Sequence, residues 1–72
     1  MKKIAINLFV NGVNYTSKYD NFDEQQQEQL EKLLKTAAEG KLSYMQFESN
    51  NKLLFFPSEI LKQSILSLVY GS

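Results

Sequence analysis

Asn21 to Gly40, NFDEQQQEQLEKLLKTAAEG, is the stretch whose reading decides the fold. Leu30, Leu33, Leu34, Ala37 and Ala38 recur at the spacing that lines one face of a 3.6-residue helix. Glu28 precedes Lys32, and Glu31 precedes Lys35, at the acid-first i,i+4 spacing that supports a helix by about 0.3 kcal/mol per pair. Two capping boxes compete for the start, Asp23 with Gln26 and Asn21 with Glu24. Asp20, Asp23 and Glu24 all lie where the positive end of the helix dipole favours acids. Gly40 ends the helix, because a left-handed residue after the last turn costs glycine little. Carried backward from Leu30, the apolar stripe meets Gln26 and Gln27 before reaching Phe22. The first two turns are therefore expected to overhang the core, solvated or lying against another molecule.

The segments on either side read as β-hairpins. From Lys3 to Val10, Ile4, Ile6, Leu8 and Val10 share one face, while Ala5, Asn7 and Phe9 take the other. Asn11-Gly12 then predicts a type I′ turn, with positive φ at both positions. A two-residue loop sets Val10 opposite Val13, Leu8 opposite Tyr15, Ile6 opposite Ser17 and Ile4 opposite Tyr19. Tyr19 and Phe22 are expected to close the end of the core. After Gly40, a third strand is predicted over Lys41 to Glu48 and a fourth over Lys52 to Phe56. With Asn50-Asn51 as the loop, Phe47 pairs with Leu54 and Met45 with Phe56 to make a core face. The opposite face carries Leu42, Tyr44, Leu53 and Phe55 beside Gln46 and Glu48, and Phe9 is expected to point the same way.

Pro57 ends the fourth strand, and Ser58 can cap a helix starting at Glu59. Two readings of the tail stand. One is a single helix from Ser58 to about Val69, with Leu61, Ile65, Leu68 and Val69 as its stripe. The other is one helical turn through Gln63 and then a fifth strand, Ile65 to Tyr70, favoured by the β-branched and aromatic content of ILSLVY.

The resulting fold class is α+β: two antiparallel hairpins with a single central helix between them (ββαββ), then a short helical turn and a possible fifth strand. On the Asn-Gly hairpin and the central helix, the layout from Lys3 to Phe56 resembles the β-grasp architecture of ubiquitin-like and immunoglobulin-binding domains. That resemblance implies a mixed sheet with the helix on one face and implies no particular activity, since one layout hosts many functions.

The chain has 72 residues, read as one domain, 1–72. A domain of this size buries only about 60% of its extended surface and is marginally stable unless something adds burial. It has no Cys and no His, so neither disulfides nor an ordinary zinc site can supply the difference. Self-association is the remaining route. At 43% hydrophobic residues the sequence is not that of a disordered chain. The formal net charge is zero, all eight basic residues are Lys, and Asn and Gln are abundant. This usage suggests an AT-rich coding genome, as in a low-GC bacterium or one of its phages. The Met1-Lys2-Lys3 start followed by IAINLFV imitates a secretory leader, but Asn7 interrupts the apolar run and no small-residue cleavage site follows. No run is long enough to span a bilayer, so the cytoplasm is the expected location and no membrane partner is expected.

Missing residue types remove most catalytic constellations. Without His or Cys there is no imidazole base and no Ser-His or Cys-His pair. The three glycines stand apart, so no phosphate-cradling loop forms. Asp20, Asp23 and Glu24 have the chemistry to hold a hard cation, but capping the helix is the simpler role. No enzyme, metal or cofactor is expected.

The apolar face is the informative feature. Phe9, Leu42, Tyr44, Leu53 and Phe55 together exceed what a soluble monomer usually leaves open. The C-terminal segment, a second copy of the chain or a different protein could each cover them. The expected function is that of a small non-catalytic binding protein of the phage or mobile-element accessory type, acting as a homodimer or higher homo-oligomer through its sheet. It would occlude a host protein or sequester a small signalling ligand. The alternative is a small nucleic-acid-binding module on a Lys/Tyr strip of the first hairpin, with Lys18, Tyr15 and Tyr19 as contacts beside Lys2 and Lys3. Balanced charge and the lack of Arg weigh against it.

Overall fold

The first strand, β1 (Lys2–Val10), has partners along both of its edges. A computed structural model describes residues 1–71 and shows an α+β fold. After β1 come β2 (Val13–Thr16), β3 (Asp20–Phe22), helix α1 (Glu24–Ala38), β4 (Tyr44–Ser49), β5 (Lys52–Pro57), a short helix α2 (Ser58–Lys62) and β6 (Ile65–Gly71). In the larger sheet, β2 and β3 share one edge of β1 end to end, and β6 takes the other. Strands β4 and β5 form a separate two-stranded sheet. All pairings among the described residues are antiparallel. The β-grasp resemblance implied one mixed sheet. Here the second hairpin instead folds over the first sheet, sharing with α1 the face that carries Leu8 and Val10.

Asn11 and Gly12 have φ of 52° and 78°, the conformation a type I′ turn demands, and Leu8 pairs with Tyr15 and Val10 with Val13. The predicted register fails after Ser17, which still faces Ile6. Ile4 pairs with Asp20 rather than Tyr19, so one extra residue has entered the returning strand. Ser17 causes the slip. Its N–H donates to the Ile6 carbonyl at 2.8 Å, but its hydroxyl, not its carbonyl, accepts from the Ile6 N–H at 2.8 Å. The bulge puts Phe22 opposite Lys2, on the core side, and turns Tyr19 to the outer face. There the ring lies against Gly71, with Cδ1 and Cε1 only 3.1 Å from where a Cβ on that glycine would stand. Tyr19 therefore does not close the core.

Asp23 is the N-cap of α1: its Oδ1 accepts from the Gln26 N–H at 2.8 Å, and the Gln26 side chain accepts from the Asp23 N–H at 3.0 Å. At the other end Gly40, with φ of 75°, lets its own N–H reach the Ala37 carbonyl and the Lys41 N–H reach the Thr36 carbonyl. The buried stripe is narrower than its spacing suggests. Leu30, Leu34 and Ala37 are buried, whereas Leu33 and Ala38 are exposed.

Asn50 and Asn51, at φ of 50° and 62°, make the second tight turn, and Met45 pairs with Phe56 and Phe47 with Leu54. These side chains meet Leu8, Val10, Leu34, Ala37 and Leu61 in one core. Phe56 is central to it, with its ring centroid 5.0 Å from Phe47 and 5.5 Å from Tyr15, the latter edge-on. Such pairs add about 0.5–1.5 kcal/mol to their burial.

Of the two tail readings, the helical turn followed by a strand is the one adopted. The Ser64 N–H and hydroxyl both bond the Leu61 carbonyl, closing α2 and releasing the chain into β6. Strand β6 then pairs with β1 from Phe9↔Ile65 to Lys3↔Gly71. A continued helix would leave that edge of β1, which runs through the middle of the sheet, without partners for its N–H and C=O groups.

Candidate functional site

The outward face of the second hairpin is uncovered. Tyr44, Leu53 and Phe55 keep 57%, 52% and 62% of their surface exposed. Alternation along each strand explains this: Met45, Phe47, Leu54 and Phe56 turn into the core, so their neighbours must turn out. Cross-strand pairing sets Tyr44 opposite Pro57, Gln46 opposite Phe55 and Glu48 opposite Leu53, which leaves an apolar patch with a polar flank along β4. The tail does not lie over it. Strand β6 goes to the far sheet, so intramolecular cover by the C-terminal segment is ruled out for residues 65–71.

Beside the patch, an apolar groove of about 290 Å³ separates the Asn11-Gly12 turn from β5 and α2. Val10, Val13, Tyr15, Phe55, Pro57 and Ile60 contribute to its walls. Phe55 belongs to both groove and patch, so the two form one continuous surface. Val13, opposite Val10 beside the turn, is 46% exposed and faces this groove.

The five residues expected on a single face are divided. Tyr44, Leu53 and Phe55 lie together. Leu42 precedes β4, is half-buried and packs against the core instead of facing outward. Phe9 pairs with Ile65 on the outer face of the larger sheet, across the molecule from the hairpin patch. The expectation that Phe9 points the same way fails because the two hairpins belong to different sheets stacked face to face.

Lys18, Tyr15 and Tyr19 do not form one strip. Tyr15 is half-buried with its ring edge on Phe56. Tyr19 is on the outer face of the larger sheet beside Gly71. Lys18 Nζ approaches Glu48 Oε2 at 3.6 Å, with both side chains mostly exposed, a pair contributing about 0–1 kcal/mol. Lys2 is elsewhere again, its Nζ 5.5 Å from the centroid of the Tyr70 ring. Asp23 is engaged in the helix cap, and no group of three or more potential metal ligands gathers among the described residues. No described helix is long and apolar enough to cross a membrane. Comparison with protein-family models, with curated proteins and with solved structures returns no match.

Proposed function

We propose that this chain is a small non-catalytic binding protein whose target-contacting surface is the outer face of the second hairpin, with Tyr44, Leu53 and Phe55 as its anchors. One observation carries the reading: three large apolar side chains stand together, each more than half exposed, on a two-stranded sheet whose other face is in the core. Aromatic side chains on a fixed scaffold are efficient anchors because they bury much area while losing little rotamer freedom. The adjoining groove, with Val13 and Ile60 in its walls, would admit an apolar side chain from the target. Gln46 and Glu48 on β4 would supply the polar rim. This chemistry suits a protein target that the chain occludes, acting as a homo-oligomer. The short Lys- and Asn-rich, Arg-free sequence fits an accessory factor of the phage or mobile-element type.

A photo-crosslinking side chain in place of Phe55 tests the reading in an extract of the source organism. A discrete adduct with another protein is expected, lost on Leu53→Lys and not seen from the same probe at Lys32 on the exposed side of α1. Adducts that survive Leu53→Lys, or none at all, would overturn it.

A further inference from the structure

Strand β6 has one edge that no element among the described residues occupies. The direction of its hydrogen-bonding groups follows from β1. Ile6 exchanges bonds with Ser17 on the β2 side, so Ile4, Ile6 and Leu8 face that way and Lys3, Ala5, Asn7 and Phe9 face β6. Their partners Gly71, Val69, Ser67 and Ile65 face back toward β1. The N–H and C=O groups of Leu66, Leu68 and Tyr70 therefore point away from the sheet, and among the described residues no backbone group bonds to them.

The other edges are interrupted. Strand β5 begins with Lys52 and ends with Pro57, which has no N–H to offer. The β2–β3 edge meets β4, through the Lys18 N–H to the Glu48 carbonyl at 3.0 Å and the Ser49 hydroxyl to the Thr16 carbonyl at 2.6 Å. By contrast β6, ILSLVYG, has no charge, no proline and no bulge. Helix α1 reaches this strand over its face, where Gln27 Nε2 donates to the Tyr70 hydroxyl at 3.3 Å, and leaves the edge free.

We infer that β6 pairs antiparallel with β6 of a second copy of this chain, about a two-fold axis at Leu68. This register uses every free group: Leu68 faces its own counterpart, and Leu66 faces Tyr70 of the second copy. It also sets Ile65, 66% exposed, opposite Gly71 of the second copy, over which that copy's Tyr19, 47% exposed, is laid. The missing side chain at Gly71 makes the space, and two exposed apolar side chains cover each other. Because the contact is isologous it consumes both free edges and closes, giving a dimer rather than a fibre. Pairing over so short a strand is a small interface, so the dimer is concentration-dependent. The inference specifies how the proposed homo-oligomer forms. It leaves the hairpin patch free, so failure of one does not carry the other with it.

The test is the solution mass of the full chain from micromolar to millimolar concentration, for the wild type, for Phe55→Lys and for a synthetic chain N-methylated at Leu68. The methyl group removes one outward N–H and blocks the edge while leaving the bonds to β1 and the side chain intact. Wild type and Phe55→Lys are expected to rise to twice the 8.3 kDa chain mass, and the N-methylated chain to stay at 8.3 kDa with an unchanged far-UV spectrum. Ser67→Lys, which adds like charges beside the axis without touching the core, is expected to raise the dimer dissociation constant at low salt. A wild type that is monomeric throughout overturns the inference, as does a dimer that survives N-methylation or one that Phe55→Lys dissociates.

Discussion

Lys18 and Glu48 are joined twice: the Lys18 N–H donates to the Glu48 carbonyl at 3.0 Å, and the Lys18 ammonium stands 3.6 Å from the Glu48 carboxylate. The backbone bond exists because the bulge after Thr16 turns Lys18 away from β1 and toward β4. One slipped residue thus fixes where the second hairpin docks, and so which of its faces is left for a partner.

The two contacts at this junction differ in worth. Lys18→Ala removes only an exposed ion pair, and a change of about 0.5 kcal/mol or less is expected. Ser49→Ala removes the 2.6 Å bond to the Thr16 carbonyl in a half-buried setting and is expected to cost about 1 kcal/mol. Urea midpoints of the two variants give the comparison; equal losses would mean that the surface pair holds the hairpin down as firmly as the serine does.

Asn51 occupies a left-handed position, at φ of 62°, where a type I′ turn prefers glycine. Asn51→Gly is expected to stabilise the chain by about 0.5 kcal/mol, the relief of side-chain strain outweighing the freer unfolded chain. Gly12→Ala is the converse. Nothing lies within 4 Å of the added Cβ, so the expected loss of about 1 kcal/mol is purely a backbone effect. Thermal melts of both variants should move in opposite directions.

Leu8 is fully buried at the centre of the core. Leu8→Ala is expected to cost about 3 kcal/mol, from lost burial and the cavity left behind. In so small a domain that is a large share of the whole stability, so the variant should be partly unfolded at room temperature by circular dichroism. A cooperative, native-like melt would show a core more able to collapse than its packing suggests.

The patch residues should be dispensable for folding. Phe55→Lys changes a side chain that is 62% exposed, and stability is expected to stay within about 0.5 kcal/mol of wild type. A loss of several kcal/mol, read from urea unfolding, would assign Phe55 to the core of the fold and remove it from the proposed binding surface.

Crowding between Tyr19 and Gly71 gives a coupled pair. Gly71→Ala should cost about 1 kcal/mol, since the new Cβ meets the tyrosine ring at 3.1 Å. In a Tyr19→Ala background the same change should cost almost nothing, and a double-mutant cycle measures the difference. An equal cost in both backgrounds would place the strain in the backbone.

Much of the local structure was legible. The helix, its stop at Gly40 and both Asn-containing turns act within a few residues of themselves, so their spacing is enough to read them; spacing left its start open between the Asp23–Gln26 and Asn21–Glu24 boxes and put exposed Leu33 and Ala38 on the buried stripe. The bulge at Ser17 was not legible, because a serine hydroxyl replacing a carbonyl leaves no periodic trace. The site was legible in part. Alternation placed Tyr44, Leu53 and Phe55 on one face of β4–β5, but could not show that Phe9 belongs to a different sheet.

The sequence by itself determined the helix, its stop at Gly40, the two tight turns and which residues alternate along each strand, because backbone sterics and short-range hydrogen bonds set these. Only the tertiary structure decided that the second hairpin covers the first sheet, that β6 goes to the edge of β1, and that the Tyr44–Phe55 face remains uncovered. Those choices depend on which arrangement removes the most apolar surface from water while pairing every buried backbone group. That sum runs over residues far apart in the chain, and no local pattern records it.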